Sequence, residues 1–291
     1  MKTYLECIPC FVRQATEAVQ LATSCEEKQV EFIQKLLEEI SQFDLSLPPP
    51  HIGQKIHRLI KETTGNTDPY QKIKERINRE ALALLPHLRQ KIKESDDPFE
   101  MAVRYSIAGN IMDSAAKGAI GTEEIERDIL DATSPPLDKE EVAHLKEEIT
   151  KAKSILFLGD NAGEIVLDRL LIEKMPREKI TYVVRGAPTI NDATFEDARA
   201  SGITELATVI DNGSDAPGTI LGDCSEDFQR RFWRSDLIIS KGQGNYESLS
   251  DVRHNIFFLF KVKCHVVEKE IRLPVGSLVV KGQKYKTKGE K

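Results

Sequence analysis

The sequence lacks several features that would assign it to a class of proteins at once. None of its apolar runs approaches the roughly 20 residues that a membrane-spanning helix requires, and the longest, Ile256 to Phe260, has the length of a strand. Residues 1–10 lack the basic-then-apolar order of a signal peptide, which predicts a cytosolic protein. The chain has 41 basic and 47 acidic residues and a net charge of -6. We therefore expect neither a membrane nor a nucleic acid as partner.

Cysteine is also scarce. Five cysteines in 291 residues do not form the framework of a small disulfide-rich protein. Only Cys7 and Cys10 are paired by spacing, as Cys-x-x-Cys at a predicted helix start. Three alternatives account for this pair. It could be half of a zinc site completed by Cys264 and a histidine such as His265, a redox pair, or two buried thiols. The sequence has no second Cys-x-x-Cys, so the three alternatives stay open.

Residues 1–150 have the periodicity of consecutive helices. Apolar residues recur at spacings of three and four in three stretches, 10–21, 30–40 and 99–116. The prolines at 48–50 are expected to separate the second and third helices, and Asp68-Pro69 and Asp97-Pro98 to open the fourth and fifth. Pro135 and Pro136 then predict a hinge. We expect a helical N-terminal domain over 1–150.

From residue 154 the pattern changes to short β-branched or aliphatic runs between helical stretches, which is typical of a parallel sheet. Four runs predict strands: 154–159, 181–186, 207–211 and 236–240. Three later runs are expected to extend the sheet: IFFLF (256–260), HVVE (265–268) and GSLVV (276–280). The predicted fold class is therefore α/β, with the helical domain packed on a mostly parallel, Rossmann-like domain over 151–280. Residues 281–291 contain five lysines and predict a solvated basic tail.

Polar segments with glycine follow each of the four predicted strands. They are GDNAGE, GAPTIND, DNGSDAPGT and KGQGNYE. The carboxyl ends of parallel strands share one edge of a sheet, where α/β proteins bind ligands. Glycine, aspartate and asparagine are also ordinary turn residues, so one such segment would predict only a turn. Four in succession predict a binding site.

Asp160, Asn161 and Asp192 are the candidate metal ligands in the first two segments. Two carboxylates and one amide oxygen suit Mg²⁺ or Mn²⁺ better than zinc, which prefers cysteine and histidine. Three protein ligands also leave positions for water and a substrate phosphate. The alternative for Asp192 is a helix N-cap, because it stands near the predicted start of the helix after the second strand.

The fourth segment predicts phosphate binding. Gly242 and Gly244 would let the backbone of 242–245, including Asn245, approach an anion at the start of the next helix. Lys241 would add a positive charge, with an ordinary surface lysine as the alternative. Arg185, at the end of the second strand, would grip a phosphate or pair with a carboxylate.

Several motifs in this order resemble one known family. GDNAGE, VVRGAPTINDAT, DNGSDAPGT and SKGQGNYESL, with AGNIMD at 108–113, resemble the family once labelled domain of unknown function 89, now described as metal-dependent damage-control phosphatases. The resemblance runs from ECIPC to GSLVV, and the Cys-x-x-Cys is similar to the prokaryotic branch. It implies a helical region packed on an α/β sandwich with one divalent ion, Mn²⁺, Co²⁺, Ni²⁺ or Mg²⁺. It also implies removal of phosphate from sugar phosphates and related, often damaged, metabolites.

The resemblance also implies roles for individual residues. The family's Asp-Asn pair of metal ligands falls on Asp160 and Asn161, and its third ligand falls on Asp192. Its phosphate-binding lysine falls on Lys241.

A further family motif, Gly-Asn-x-x-Asp, falls on Gly109, Asn110 and Asp113. Three residues along a helix place Asn110 and Asp113 on one face. From there Asn110 would contact the substrate and Asp113 would act as an acid or base. The alternative is a buried polar pair that braces the domain interface.

The predicted function is hydrolysis of phosphomonoesters of small metabolites. The ion would draw charge from the phosphate oxygens, while Lys241 and the 242–245 backbone neutralise the rest. The nucleophile is either water or Asp160, the latter through a phospho-aspartate. Two other functions stay open: a non-catalytic nucleotide- or cofactor-binding protein, although no GxGxxG follows the first strand, and a metal-thiol protein that uses Cys7 and Cys10. The sequence predicts no oligomeric state.

Overall fold

The structure is a computed structural model that describes residues 1–109 and 122–283, with the side chains of all of these except 122–126. This part of the chain contains twelve α-helices and one six-stranded sheet. The first seven helices are α1 (Cys7–Ala22), α2 (Glu26–Ile40), α3 (Pro49–Thr64), α4 (Gln71–Glu94), α5 (Pro98–Ala108), α6 (Thr122–Ala132) and α7 (Lys139–Lys151).

Strands and helices then alternate. The strands are β1 (Ile155–Leu158), β2 (Ile180–Val184), β3 (Thr208–Asp211), β4 (Leu237–Lys241), β5 (Ile256–Lys261) and β6 (Leu278–Gly282). The helices are α8 (Glu164–Ile172), α9 (Phe195–Ala200), α10 (Glu226–Arg234), α11 (Gln243–Leu249) and α12 (His265–Ile271). Short 3₁₀ turns occupy Arg177–Lys179 and Ile203–Glu205.

The order of the strands places β1 at the centre of the site. The sheet runs β3-β2-β1-β4-β5-β6, with the first five strands parallel and β6 antiparallel to β5. At the end of β1, Leu158 lies beside Val183 of β2 and Ser240 of β4. The chain reverses its direction of winding between β1 and β4, and such a switch point is where open α/β sheets bind ligands.

Both faces of the sheet are covered by helices, which explains why its central strands are apolar throughout. On one face, Phe157 and Ile239 belong to a core that also contains residues of α4 to α8. On the other face, Leu156 and Ile238 pack with residues of α10 to α12. Helices α1 to α3 share a third core of their own. Because hydrophobic packing crosses residue 150, the division of the chain there stays a prediction.

Capping and proline explain two helix starts, of which the sequence predicted the one at Asp97-Pro98. The carboxylate of Asp97 accepts hydrogen bonds from the backbone nitrogens of Phe99 and Glu100, at 2.9 and 3.1 Å, and Pro98 occupies the first turn. Helix α3 begins at Pro49, where proline's fixed φ suits a first turn. Helix α5 ends at Ala108, and the predicted continuation to residue 116 lies outside the described residues.

Two predictions about the sheet are wrong. HVVE (265–268) is not a strand but the start of α12, because β6 pairs directly with β5 and leaves no place between them. The basic tail does not begin at residue 281, since Lys281 and Gly282 belong to β6 and lie opposite Phe258 and Phe257. Residues 284–291 lie outside the described part of the chain.

Candidate metal and phosphate site

The structure brings the three predicted metal ligands together at the carboxyl edge of the sheet. The loops that follow β1 and β2 are joined by an isolated antiparallel bridge between Asn161 and Asp192. The backbone nitrogen of Ala193 also donates to the carbonyl of Asp160 at 2.8 Å. Asp160, Asn161 and Asp192 are all buried. Two separate loops are thereby held as one oxygen-rich unit.

Asp192 does not cap the helix that follows it. Helix α9 begins at Phe195, and its N-cap is Thr194, which forms a capping box with Asp197. Asp192 lies two residues before this cap, in the loop that pairs with Asn161. Its carboxylate therefore belongs to the site and not to the helix start.

Arg185 is buried and pairs with both carboxylates of the site. Its Nε donates to Asp192 Oδ2 at 2.6 Å, and its Nη2 lies 3.5 Å from Asp160 Oδ1. Burial acts to lower the pKa of the guanidinium, but Asp192 and Asp160 outweigh it and raise that pKa. Of the two alternatives from the sequence, the structure shows the carboxylate pair. Two carboxylates and one guanidinium leave a net charge of -1 among these three groups.

Gly242 and Gly244 allow close packing at the start of α11. Gly242 has φ 81°, and a Cβ at this position would overlap the carboxylate of Asp160. A Cβ at Gly244 would overlap the carbonyl oxygen of Pro217. Gly242 is thus required for both its backbone conformation and its contact with a candidate metal ligand.

Asn245 connects three loops within the protein, and its predicted role in substrate binding stays a prediction. Its Nδ2 donates to the carbonyl oxygens of Lys241 at 2.7 Å and Gly159 at 3.3 Å. Its Oδ1 accepts from Thr219 at 2.8 Å and from Arg185 at 3.3 Å. Its side chain therefore fixes the positions of the segments that carry the site.

Lys241, predicted to bind phosphate, points away from the cavity into the core of the protein. Its ammonium donates to Glu164 Oε1 and Asp168 Oδ1, both at 2.6 Å, and to the carbonyl of Ser106 at 2.8 Å. These contacts use all three of its donors. Side chains alternate along a strand, so Lys241 shares the face of Leu237 that lies beneath α8. Its role in phosphate binding stays a prediction.

The acidic partners of Lys241 form a buried network that sequence reasoning missed. Asp168 also accepts hydrogen bonds from Ser106 Oγ at 2.6 Å and from Tyr182 Oη at 2.7 Å. Burial raises the pKa of Glu164, against the attraction of Lys241. Burial also acts to lower the pKa of Lys241, but Asp168 and Glu164 raise it to about 12, so the lysine stays charged. The signal in the sequence was two carboxylates four residues apart in the helix EIVLDRLLI, whose other residues are apolar except Arg169.

Gly109 is the last described residue of the Gly-Asn-x-x-Asp motif. A Cβ on Gly109 would lie 3.0 Å from the Cα of Glu164, so the end of α5 packs closely on the start of α8. The other two predicted residues of this motif, Asn110 and Asp113, lie outside the described residues.

A cavity of about 400 Å³ opens beside the three candidate ligands, and Asp160, Asn161 and Asp192 all line it. Most of the rest of its wall comes from the starts of α1, α3 and α11 and from the Lys263-Cys264 turn, and Pro217 also contributes. The cavity is within the range of small-molecule pockets. It is larger than a phosphate group alone requires.

A family model for the damage-control phosphatase ARMT1-like domain matches residues 3–279. The chain belongs to this family. A damage-control phosphatase of Archaeoglobus fulgidus is 35% identical over 97% of this chain and 99% of its own, and one of Pyrococcus horikoshii is 32% identical over 98% and 100%. The crystal structure of a family member from P. horikoshii matches with a TM-score of 0.87 and 29% identity, covering 98% of this chain and 100% of that one.

These comparisons confirm three predictions made from the sequence: the family, the α/β fold class and the phosphatase function. The family also implies a small phosphorylated substrate. None of the helices in the described ranges combines the length and the apolar character needed to cross a membrane.

Three cysteines line the cavity beside the candidate metal ligands: Cys7, Cys10 and Cys264. All three are free thiols, and burial raises the pKa of Cys7. His265, the suggested fourth zinc ligand, has a side chain that is 85% exposed and lies 2.5 Å from Glu268. Among the side chains that the structure describes, no three of Cys, His, Asp or Glu are grouped to hold a metal ion. The described residues therefore do not assemble the proposed zinc site.

Cys7 and Arg13 have the Cys-x5-Arg spacing of cysteine-dependent phosphatases. Both lie within α1, however, and not in a loop that could wrap around a phosphate. Because the pKa of Cys7 is raised, its thiol is also a poor nucleophile at neutral pH. This spacing therefore does not provide a second phosphatase site.

Proposed function

We propose that this chain is a metal-dependent phosphomonoester hydrolase that acts on small phosphorylated metabolites. Asp160, Asn161 and Asp192 would hold one divalent cation. The observation that carries the proposal is the bridge between Asn161 and Asp192, which sets two carboxylates and an amide against one cavity. Hard oxygen donors of this kind fit Mn²⁺, Co²⁺, Ni²⁺ or Mg²⁺.

The electrostatics of the described residues support a cation at this place. Asp160 and Asp192 are both buried, and the guanidinium of Arg185 lies beside both carboxylates. Two carboxylates brought together at one cavity attract a cation, which would favour this arrangement. When bound, a divalent ion supplies Lewis-acid stabilisation of charge on the phosphate oxygens.

The protein's own residues would position the reacting groups. Arg185 holds Asp192 through a 2.6 Å bond from its Nε, and its Nη1 donates to Asn245 at 3.3 Å. Asp160 is fixed through its backbone by Ala193. Such preorganised polar groups stabilise developing charge without rearranging during the reaction.

We propose two candidates for the nucleophile, a water molecule in the cavity and the carboxylate of Asp160. The stereochemistry at phosphorus, followed with a phosphoester made chiral by isotopic labelling, distinguishes them. Direct attack by water is a single displacement and inverts the configuration at phosphorus. Attack by Asp160, followed by hydrolysis of the phospho-aspartate, is a double displacement and retains the configuration.

The assignment of the metal ligands is tested by Asp160→Asn and Asp192→Asn. Each change keeps the shape of the side chain and removes one negative charge. We expect phosphate release to fall at least about 100-fold for a panel of sugar phosphates, nucleotides and phosphopantetheine derivatives. Calorimetric binding of Mn²⁺ should weaken in parallel, which gives a readout that is independent of turnover.

Asp211→Asn is the matched control. Asp211 ends β3 on the same edge of the sheet, but it is exposed and does not line the cavity. It should retain the turnover and the Mn²⁺ affinity of the wild type. Full activity in both Asp160→Asn and Asp192→Asn would overturn the proposed site.

The proposal also includes the location of the protein, its partners and the roles of further residues. We propose a cytosolic location and a small phosphometabolite as partner, with neither nucleic acid nor membrane. Asp113 is proposed as an acid or base and Asn110 as a substrate contact, both from the family motif. The role of Cys7 and Cys10 in a second metal or redox site stays a prediction.

A further inference from the structure

One wall of the cavity is formed by a pair of polar side chains on α11. Gln243 and Glu247 stand four residues apart, on the same face of the helix, and both line the cavity. The Nε2 of Gln243 donates to Glu247 Oε1 at 2.8 Å. Its Oε1 accepts from the backbone nitrogen of Lys263 at 2.9 Å, which fixes the orientation of the amide. The pair is therefore a positioned hydrogen-bonding surface.

This polar wall begins at the candidate metal site. Gly242, which immediately precedes α11, packs so closely on Asp160 that a Cβ would overlap the carboxylate. At a rise of about 1.5 Å per residue, Glu247 lies roughly 7 Å further along the helix axis. This separation suits the organic group of a small phosphate ester whose phosphate lies beside Asp160.

The chemistry of the pair suits hydroxyl groups. Burial raises the pKa of Glu247 to about 7, against Gln243, Lys263 and the N-terminal ammonium, which all lower it. Near neutral pH its carboxyl group both donates and accepts hydrogen bonds, as the amide of Gln243 does. The thiol of Cys264 lies 3.6 Å from Gln243 Nε2 and is a weak acceptor. A hydroxyl group can bond the other carboxyl oxygen of Glu247, whereas an alkyl chain would cover that oxygen without bonding it.

Resting on the proposed phosphatase function, we infer that Gln243 and Glu247 select the leaving group of the substrate by hydrogen-bonding the hydroxyl groups of a short polyol chain. They are specificity-determining residues of the cavity. The residues around Asp160, and not this pair, act on the phosphoryl group. A site built to bond a hydroxyl group discriminates strongly against an analogue that lacks it.

The test compares two substrates of similar size, glycerol 1-phosphate and propyl phosphate, in the metal-loaded enzyme. The quantity measured is the ratio of their kcat/KM values. We expect the wild type to prefer glycerol 1-phosphate at least about tenfold. Glu247→Met and Gln243→Met should each reduce this ratio towards one, mainly through the KM for glycerol 1-phosphate. Two separate variants are used so that misfolding of one does not decide the outcome.

Two further variants separate recognition from a general structural effect. Glu247→Gln keeps donors and acceptors at the same place and should retain most of the preference. Glu270→Met removes a carboxylate from an exposed position of α12 outside the cavity and should leave both kcat/KM values unchanged. Circular dichroism checks that each variant is folded.

The outcomes distinguish this inference from the proposed function. If the wild type turns over both esters without preference, or if both methionine variants keep the wild-type ratio, the inference is wrong and the phosphatase function stands. If no phosphoester is hydrolysed with any of the four metals, including the reporter p-nitrophenyl phosphate, the proposed function itself fails.

Discussion

The guanidinium of Arg185 and the carboxylate of Asp192 form a 2.6 Å ion pair in the interior of the site. The same guanidinium lies 3.5 Å from Asp160, so one positive charge is shared by two candidate metal ligands. An ion pair removed from water is costly to break, because the remaining charge is left buried. We therefore expect the stability of the protein to be coupled through Arg185 to the binding of a metal ion at the proposed site.

Arg185→Met should reveal this coupling. Without a cation, the variant leaves two buried carboxylates close together, and the free energy of unfolding should fall by about 3–5 kcal/mol. Added Mn²⁺ should restore more stability than in the wild type, since a ligand of the folded state alone stabilises it. Urea unfolding with and without Mn²⁺ measures both effects. Arg58→Met is the control, because Arg58 is about half exposed in its pair with Asp215 and should cost about 1 kcal/mol or less.

Substitutions at two glycines can distinguish the effect of backbone strain from the effect of displacing Asp160. Gly65 and Gly242 have nearly the same φ, 77° and 81°, but a Cβ on Gly65 meets nothing within 4 Å, whereas one on Gly242 meets Asp160. We expect Gly65→Ala to cost about 1–2 kcal/mol of stability and to leave turnover unchanged. Gly242→Ala should carry this cost and also lower phosphatase activity at least about 100-fold. Equal activity in the two variants would show that Asp160 tolerates displacement.

The sequence could predict the position of the site because parallel strands impose it. Asp160 and Asn161 follow a strand that is buried on both faces, and the carboxyl ends of such strands meet at one edge. It could not predict that Asp192 joins Asn161 through a bridge, because that pairing depends on how two loops fold against each other.

The face of the sheet on which the Lys241 side chain lies could not be predicted from the sequence, for a different reason. A lysine at the end of a strand beside glycines is equally compatible with either face of the sheet. The choice depends on Glu164 and Asp168, whose carboxylates are buried on α8 and require a positive partner. The packing of α8 on the sheet places this side chain against the two carboxylates, and that packing is not specified by the local sequence.

Lys241→Met tests whether Lys241 mainly pairs with the buried carboxylates or mainly binds phosphate. We expect the free energy of unfolding to fall by about 3–5 kcal/mol, because Glu164 and Asp168 would lose their buried cation. Adding Asp168→Asn should recover part of this loss, since the two residues are directly coupled. Lys153→Met, at an exposed position, should change stability by no more than about 0.5 kcal/mol.

The double variant also tests phosphate binding. If Lys241 acts through the buried network alone, Lys241→Met with Asp168→Asn should regain turnover as it regains stability. A stable double variant whose KM for phosphoesters stays high would instead assign Lys241 to the phosphate. Steady-state kinetics and urea unfolding on the same preparations give both quantities.

His57 should make the stability of the protein depend on pH. Burial lowers its pKa from 6.5 to about 4, with Lys61 acting in the same direction and Asp215 against it. Between these values the unfolded chain binds a proton that the folded protein does not, so stability is lost as the pH falls. From about pH 7 to about pH 4.5 the loss due to His57 is about 2–3 kcal/mol.

The effect is measured as a difference between variants. The fall in the free energy of unfolding over this pH range should be smaller in His57→Gln than in the wild type by about 2–3 kcal/mol. His144→Gln, at a half-exposed position of α7, should behave as the wild type does. Buried carboxyl groups whose pKa is raised, such as Glu164 and Glu247, titrate with the opposite sign, but they are present in every variant and cancel in the difference. An identical fall in all three proteins would mean that the folded state accepts the proton on His57, and hence that water or a carboxylate reaches this side of the cavity.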